Sequence, residues 1–273
     1  MEMALENLPE AVRQEILSAS QGSPISDEEW AKLRIQRANS FPGTLKGMNC
    51  EKCLNRGVIY ALKDGHEVAR ECECMPVRRS MRAIRESGLE DSLEAYTFER
   101  YQTREPWQAQ VKAAAERFAK DPEGQWFYIG GNSGCGKTHV CTAICGEMLK
   151  AGKHVRYMLW ASDIRRLKSV VNDDAYDRLF SEYSEADVLY IDDLFKIKAG
   201  AELSPADVQR TYELINARYI HRDRPTIVSS ERSIADLIHV DEATGSRIYS
   251  RCKGYTFELG KDARKNWRLY GES

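Results

Sequence analysis

The chain lacks any apolar run long enough to cross a bilayer: stretches such as "VLYI" and "WFYI" fall far short of the roughly 20 residues a spanning helix needs. It also lacks a cationic leader followed by an apolar segment, because its first ten residues, "MEMALENLPE", are acidic. The expectation is a cytoplasmic protein with no membrane partner. Charge of one sign is not in excess either. Forty Lys and Arg against forty-two Asp and Glu leave a net charge of −2, so nucleic-acid binding would have to come from a local patch. No internal repeat and no low-complexity segment occurs. The 273 residues are enough for one α/β domain and a smaller appendage.

Cysteine is what the chain has in surplus, and it is unevenly placed. Cys50, Cys53, Cys72 and Cys74 cluster, whereas Cys135, Cys141, Cys145 and Cys252 are scattered through the later part. In a reducing compartment a tight cluster points to metal more than to disulfides. "CEKC" and "CEC" flank eighteen residues, in which "VIYAL" and "HEVAR" read as short strands joined by Lys-Asp-Gly, a hairpin signal. A hairpin brings Cys53 back to Cys72 and gathers four thiolates, the donor set of a closed structural zinc site. The C-x-C spacing of the second pair departs from the common C-x-x-C, and a redox pair is the competing reading. His66, beside the turn, is a poor substitute ligand. So small a module has little core, so metal would supply much of its folding energy. The four scattered cysteines read as packing residues.

Before the cluster, "SDEEWAKLRIQRA" carries Ser26 and Glu29 three apart, a capping box that opens a helix with Trp30, Leu33 and Arg37 on one side. That side either docks a partner or packs on its own neighbours. After the cluster, "RRSMRAIRESG" reads as a basic helix closed by Gly88. "EAYTFERYQTREP" reads as a linker with an aromatic pair, and "WQAQVKAAAERFAKD" as a helix. Strands then alternate with helices: "WFYIG", "HVRYML", "DVLYID", "PTIVSS" and "GYTFEL". This rhythm predicts an α/β fold with a five-stranded parallel sheet covered by helices, in a domain of residues 91–273 that follows a helical and zinc-binding module of residues 1–90.

"GNSGCGKT" follows the first of those strands and precedes a helix. Gly131, Gly136, Lys137 and Thr138 fit G-x-x-x-x-G-K-[ST], in the strand–loop–helix context that gives this motif its meaning. Glycines let successive N–H groups of Asn132, Ser133, Gly134 and Cys135 curl around phosphate, and the helix terminus adds positive potential. Lys137 reaches the β- and γ-phosphates, and Thr138 ligates Mg²⁺. "DVLYIDDL" then ends a strand in Asp192, which would hold Mg²⁺ through water, and Asp193, which would orient or deprotonate the attacking water. An Asp pair that merely caps a turn is the plainer alternative. Ser229, Ser230 and Glu231 end the next strand at the edge where α/β sheets bind ligands. Arg247 and Arg251, four apart, share a helix face. They are either solvated or ion-paired, or they reach a neighbouring subunit's nucleotide as arginine fingers do.

Taken in order, "C-x2-C…C-x-C", "YTFERY", "GNSGCGKT", "LYIDDL", "IVSSE" and "GSRIYSR" resemble the bacterial and phage replicative helicase loaders of the DnaC/DnaI type. These are AAA+ ATPases related to the replication initiators, and the resemblance spans about residues 48–260. It implies ATP bound by the loop, including His139, with Asp192 and Asp193 as the acidic pair and Glu231 in the first sensor position. It also implies Arg251 as a finger acting in trans beside Arg247, and adenine contact by Phe98 or Tyr101. Arg165, Arg166 and Lys168 would then face single-stranded DNA, although composition alone makes them a solvated face. Some fourteen residues follow the last strand, so no second sensor arginine is assigned, and Glu at the first sensor position implies slow, switch-like hydrolysis. The function implied is ATP-dependent loading of a hexameric replicative helicase onto single-stranded DNA by a self-assembling ATPase, with ATP, Mg²⁺ and Zn²⁺ as cofactors. A transposition helper ATPase of the IstB type is the first rival, one in which the zinc module is not expected. A small-molecule kinase would need an Arg-rich lid, which no segment suggests. A scaffold that ATP and zinc only stabilise is the remaining alternative.

Overall fold

A computed structural model describes residues 26–86, 90–171, 173, 175–198, 200–260 and 265–270. Gly88, expected to close the basic helix, and the helical pattern of the first 25 residues lie outside the described residues. The chain separates into two compact units, Met1–Arg78 and Arg79–Ser273; the division falls inside the helix Cys74–Glu86.

In the first unit, helix α1 (Asp27–Ser40) starts at the expected capping box. The Ser26 N–H donates to Glu29 Oε2 at 2.8 Å, and the Glu29 N–H returns to Ser26 Oγ at 3.3 Å. Its far end is tied to the hairpin by Asn39, whose side-chain amide pairs with both the N–H and the C=O of Tyr60 at 3.1 and 2.8 Å, as a neighbouring strand would. Only Ala31 of the helix is buried, and Trp30 is exposed. The hairpin is the one the sequence predicts. β1 (Val58–Lys63) pairs antiparallel with β2 (His66–Glu71) in the register Val58↔Glu71 to Lys63↔His66. Asp64 and Gly65 make the turn with φ of 52° and 78°, the left-handed pair that a two-residue hairpin demands.

The second unit carries the sheet: β3 (Phe127–Gly130), β4 (Val155–Leu159), β5 (Val188–Asp192), β6 (Thr226–Ser230) and β7 (Thr256–Glu258), in the order β4-β5-β6-β3-β7. All four pairings are parallel, and the strands fall within two residues of those predicted. Every residue of β3, β5 and β6 is buried, as expected of strands covered on both faces. Their alternating side chains feed two cores. Phe127, Ile129, Val188, Tyr190 and Ile227 join one cluster, while Trp126, Tyr128, Leu189, Ile191 and Val228 join the other. At the entry edge of the sheet, the fully buried Arg218 gathers the carbonyls of Tyr183, Ser184, Ala186 and Pro225 at 2.8–3.1 Å. At the exit edge, residues that follow β3, β5 and β6 line one cleft. No helix among the described residues is long and apolar enough to cross a membrane.

Candidate functional site

β3 runs into the loop of residues 131–136, which opens helix Lys137–Lys150. Gly136 is its N-cap with φ 91°, and a Cβ there would stand 3.3 Å from the Tyr101 ring; glycine serves both demands. No side chain caps this terminus, so its first-turn amides remain available to an anion. The buried Lys137 donates from Nζ to Gly131 O at 2.8 Å and Asn132 O at 2.9 Å, drawing the loop around itself. Ser133, Gly134, Cys135, Gly136, Lys137, Thr138 and His139 line a cleft of about 350 Å³.

One wall is aromatic. Tyr96 stacks on His139 with centroids 4.9 Å apart, and Tyr101 meets the same ring edge-on at 5.2 Å. His139 Nε2 lies 2.9 Å from Thr97 O; since a carbonyl only accepts, Nε2 carries the proton. Burial holds the His139 pKa below its ordinary value, against a smaller opposing effect of that bond. Tyr101 lines the cleft, but Phe98 does not. Phe98 is buried in the core cluster of Val111, Ala115 and Ile144, because the short turn after helix Glu90–Ala95 sends Tyr96 outward and Phe98 inward. Of Phe98 and Tyr101, the two residues considered for adenine contact, only Tyr101 lines the cleft, beside Tyr96.

The other wall is acidic. Asp192, at the end of β5, is buried behind this wall and does not itself line the cleft; its carboxylate accepts from the Tyr157 hydroxyl at 3.0 Å and from the Ser229 hydroxyl. Burial, then the charge of Asp192, pushes the Tyr157 pKa up, so the phenol stays a donor. Asp193 takes φ 55°, a left-handed conformation that Asp tolerates better than most residues; its N–H donates to Ser229 Oγ at 3.1 Å. The turn aims the Asp193 side chain into the cleft, which Glu231 also lines. Lys196 Nζ stands 2.9 Å from Asp193 Oδ2 and 3.0 Å from Glu231 Oε1. Ser229 and Ser230, fully buried, do not face the cleft. They knit β6 to the turn after β5, with Ser230 Oγ donating to Leu194 O at 2.8 Å.

Arg247 and Arg251, on helix Glu242–Arg251, lie outside this cleft. Arg251 donates to the carbonyls of Tyr219 at 3.1 Å, His221 at 3.4 Å and Arg222 at 3.1 Å, and lies over the Trp126 ring. Arg247 donates to Asn216 Oδ1 at 3.1 Å and Ala243 O at 2.8 Å. Of the basic trio on helix Trp160–Ser169, Arg165 and Arg166 are exposed, whereas Lys168 is paired with Asp207 at 2.6 Å. Cys135, Cys141, Cys145 and Cys252 are buried, as packing residues should be, and burial pushes their thiols up.

In the first unit the hairpin gathers Cys50, Cys53, Cys72 and Cys74 so that all four sulfurs lie within 4.8 Å of one another. Cys50 and Cys72 are 3.8 Å apart, and Cys53 and Cys74 3.6 Å. A tetrahedron with Zn–S of about 2.3 Å has edges of about 3.8 Å, so the donor set and its spacing fit the ion. The Gly57 N–H points at Cys53 Sγ at 3.3 Å. Although burial opposes ionisation, this bond and the neighbouring thiols pull Cys53 down to about 6, while burial pushes Cys72 up to about 12. His66 is exposed at the hairpin turn and is not a member of the cluster.

A parallel sheet with this loop, this acidic strand end and this strand order defines a P-loop ATP-binding protein of the AAA+ class. Residues 57–248 match the family described as IstB-like ATP binding protein, and the chain belongs to that family. It is 30% identical over 236 residues to the phage-like element PBSX protein XkdC of Bacillus subtilis (strain 168), covering 82% of this chain and 87% of that protein. It is 26% identical over 129 residues to the replicative helicase loader DnaC of Escherichia coli (strain K12), covering 46% of this chain and 51% of that protein. The crystal structure of the DnaC helicase loader superposes with a TM-score of 0.52 at 18% identity, over 63% of this chain and 99% of that one. The resemblance drawn from the motifs therefore holds.

Several cleft residues were not foreseen. Tyr96 stands two residues before Phe98 in "EAYTFERY", in the same aromatic stretch. Lys196 follows Asp193 by three residues, a spacing that places a cation beside a carboxylate. Lys265 and Trp267, which also line the cleft, arrive from a segment with no local signal; only the fold brings the Trp267 N–H to Gly134 O at 2.9 Å.

Proposed function

We propose that this chain is an ATP-dependent loader that places a hexameric replicative DNA helicase on single-stranded DNA during replication. One combination carries the reading: an ATPase region shared with a replicative helicase loader, joined to a four-cysteine hairpin module. The module of residues 1–90 grips the helicase, with zinc held by Cys50, Cys53, Cys72 and Cys74 as a closed structural site. In the ATPase, the amides of residues 131–136 and Lys137 take the phosphates, and Thr138 and, through water, Asp192 hold Mg²⁺. The ion offsets phosphate charge. Asp193 takes the proton of the attacking water, with Glu231 beside it, and hydrolysis is slow. Arg251 acts on the nucleotide of a neighbouring copy, which requires it to release the three carbonyls it holds, with Arg247 supporting it. Arg165 and Arg166 meet single-stranded phosphates, and Lys168 joins them only by leaving Asp207.

The family match itself favours a second reading, an IstB-type helper that acts on a transposase and duplex DNA. Copurification with the replicative helicase of the same cell separates the two. A complex at micromolar concentration, strengthened by ATP, is expected. Its absence with and without ATP, together with retention of duplex DNA, would decide for the helper.

A further inference from the structure

Asp193 and Glu231, the two carboxylates that line the cleft among the described residues, are held by one ammonium. Lys196 Nζ bridges them at 2.9 and 3.0 Å, linking the turn after β5 to the end of β6. The backbone that presents Lys196 is fixed from both sides. Leu194 and Phe195 are buried, and Phe195 meets the Trp160 ring edge-on at 5.4 Å. The Leu194 N–H donates to Ser229 O at 2.9 Å, and the Lys196 N–H to Asp193 O at 3.0 Å. Arg232 Nε reaches Phe195 O at 3.3 Å. The stem is therefore anchored while the tip, with a side chain 40% exposed, lies in the cleft wall with Lys137 and Thr138.

Exposed ion pairs add little to stability, and the turn is already held by main-chain bonds, so its fold does not require this bridge. What the bridge does is occupy both carboxylates. Resting on the ATP reading given above, we propose that Lys196 senses the γ-phosphate. With ATP bound, its ammonium leaves Asp193 and Glu231 for a γ-phosphate oxygen, freeing both carboxylates toward the attacking water; with ADP bound, it returns to them.

The chemistry suits a lysine. Its ammonium has three donors and no acceptor on a flexible stem, so it can exchange carboxylate for phosphate partners without loss of charge. The triphosphate offers an additional anionic group within reach, and charge-assisted bonds to phosphate are among the stronger ones. With the lysine absent, the terminal phosphate would face two uncompensated carboxylates. In the hydrolytic step Lys196 transfers no proton. The water oxygen bonds to the γ-phosphorus as the bond from phosphorus to the bridging oxygen breaks, ADP leaves with that electron pair, and the water's proton passes to Asp193.

The test is a titration of the full chain, with Mg²⁺ present, using a non-hydrolysable ATP analogue and ADP in parallel on the unaltered protein, Lys196→Ala and Lys196→Arg. Lys196→Ala is expected to lose about tenfold in affinity for the triphosphate, the size of one charge-assisted bond, and less than twofold for ADP. Lys196→Arg keeps most of the triphosphate affinity. ADP binding shows that the variant is folded. An unchanged triphosphate affinity in Lys196→Ala, or equal losses for both nucleotides, overturns the proposal and leaves the ATP reading intact. If the unaltered protein binds neither nucleotide, the ATP reading itself has failed.

Discussion

The nucleotide cleft and the four-cysteine hairpin reach order by different means. The cleft stands at the edge of a sheet whose strands β3, β5 and β6 are buried throughout and feed two apolar clusters. The hairpin has almost no such backing. Its buried cluster is Cys53, Cys72 and Cys74 themselves, with Met48, Ile59 and Met75 only partly covered, and β2 is exposed along most of its length. The first region can hold a site because it has a core. In the second, the site is the core.

Removing the zinc proposed for the hairpin should therefore have the largest effect of any single change, and a local one. Structural zinc contributes on the order of 10 kcal/mol in modules of this size. Cys53→Ser, or chelation, is expected to unfold the hairpin while nucleotide affinity stays within about twofold. Metal content, amide exchange over residues 50–74 and nucleotide titration on one sample read this directly. Protected hairpin amides in metal-free Cys53→Ser would show that the cluster does not fold the module.

The same contrast governs how much could be read from the sequence. The hairpin was legible down to its turn, because Asp-Gly and the cysteine spacing are local signals, and the five strands were legible because β-runs alternated with helices. Lys137, Thr138, Asp193 and Glu231 reach the cleft because motif and strand end adjoin it in sequence. Phe98 went to the core and Tyr96 to the cleft, because period and propensity do not say which side of a short turn faces the core. The serines ending β6 read as ligand groups, but burial turned them into ties between strands. Trp267 could not be read at all, since the chain that carries it returns to the phosphate loop only through tertiary packing.

A change of intermediate size would test whether the cleft depends on those serine ties. Ser229 Oγ serves the Asp192 carboxylate and the Asp193 N–H at once, in a fully buried position. Ser229→Ala leaves both without that partner and is expected to lower unfolding stability by about 1–3 kcal/mol, measured by urea denaturation. The cost should stay in the cleft, with hairpin exchange unchanged. A loss below about 0.5 kcal/mol, the level of an ordinary surface substitution, would mean that the acidic pair is positioned by its strand alone.

The smallest effect is a pH dependence belonging to the cleft. Burial holds His139 below its ordinary pKa, with the Thr97 bond opposing in part, so the folded chain binds fewer protons there than the unfolded chain does. Stability from this residue is complete above the unfolded value of about 6.5 and is lost as pH falls toward the lowered folded value. His154 is shifted the same way by burial, so the comparison must be made in a His154→Gln background. Between pH 7.5 and 5.5 that protein should lose stability with a slope of less than one proton. His139→Gln, which keeps a donor for Thr97 O, should flatten it. With zinc held as proposed, the hairpin also loses ground in acid as thiolates take up protons in place of metal, so the readout must come from the ATPase unit, through amide exchange in helix Lys137–Lys150. An equal slope in the presence and absence of His139 would mean that this residue makes no contribution to the acid response.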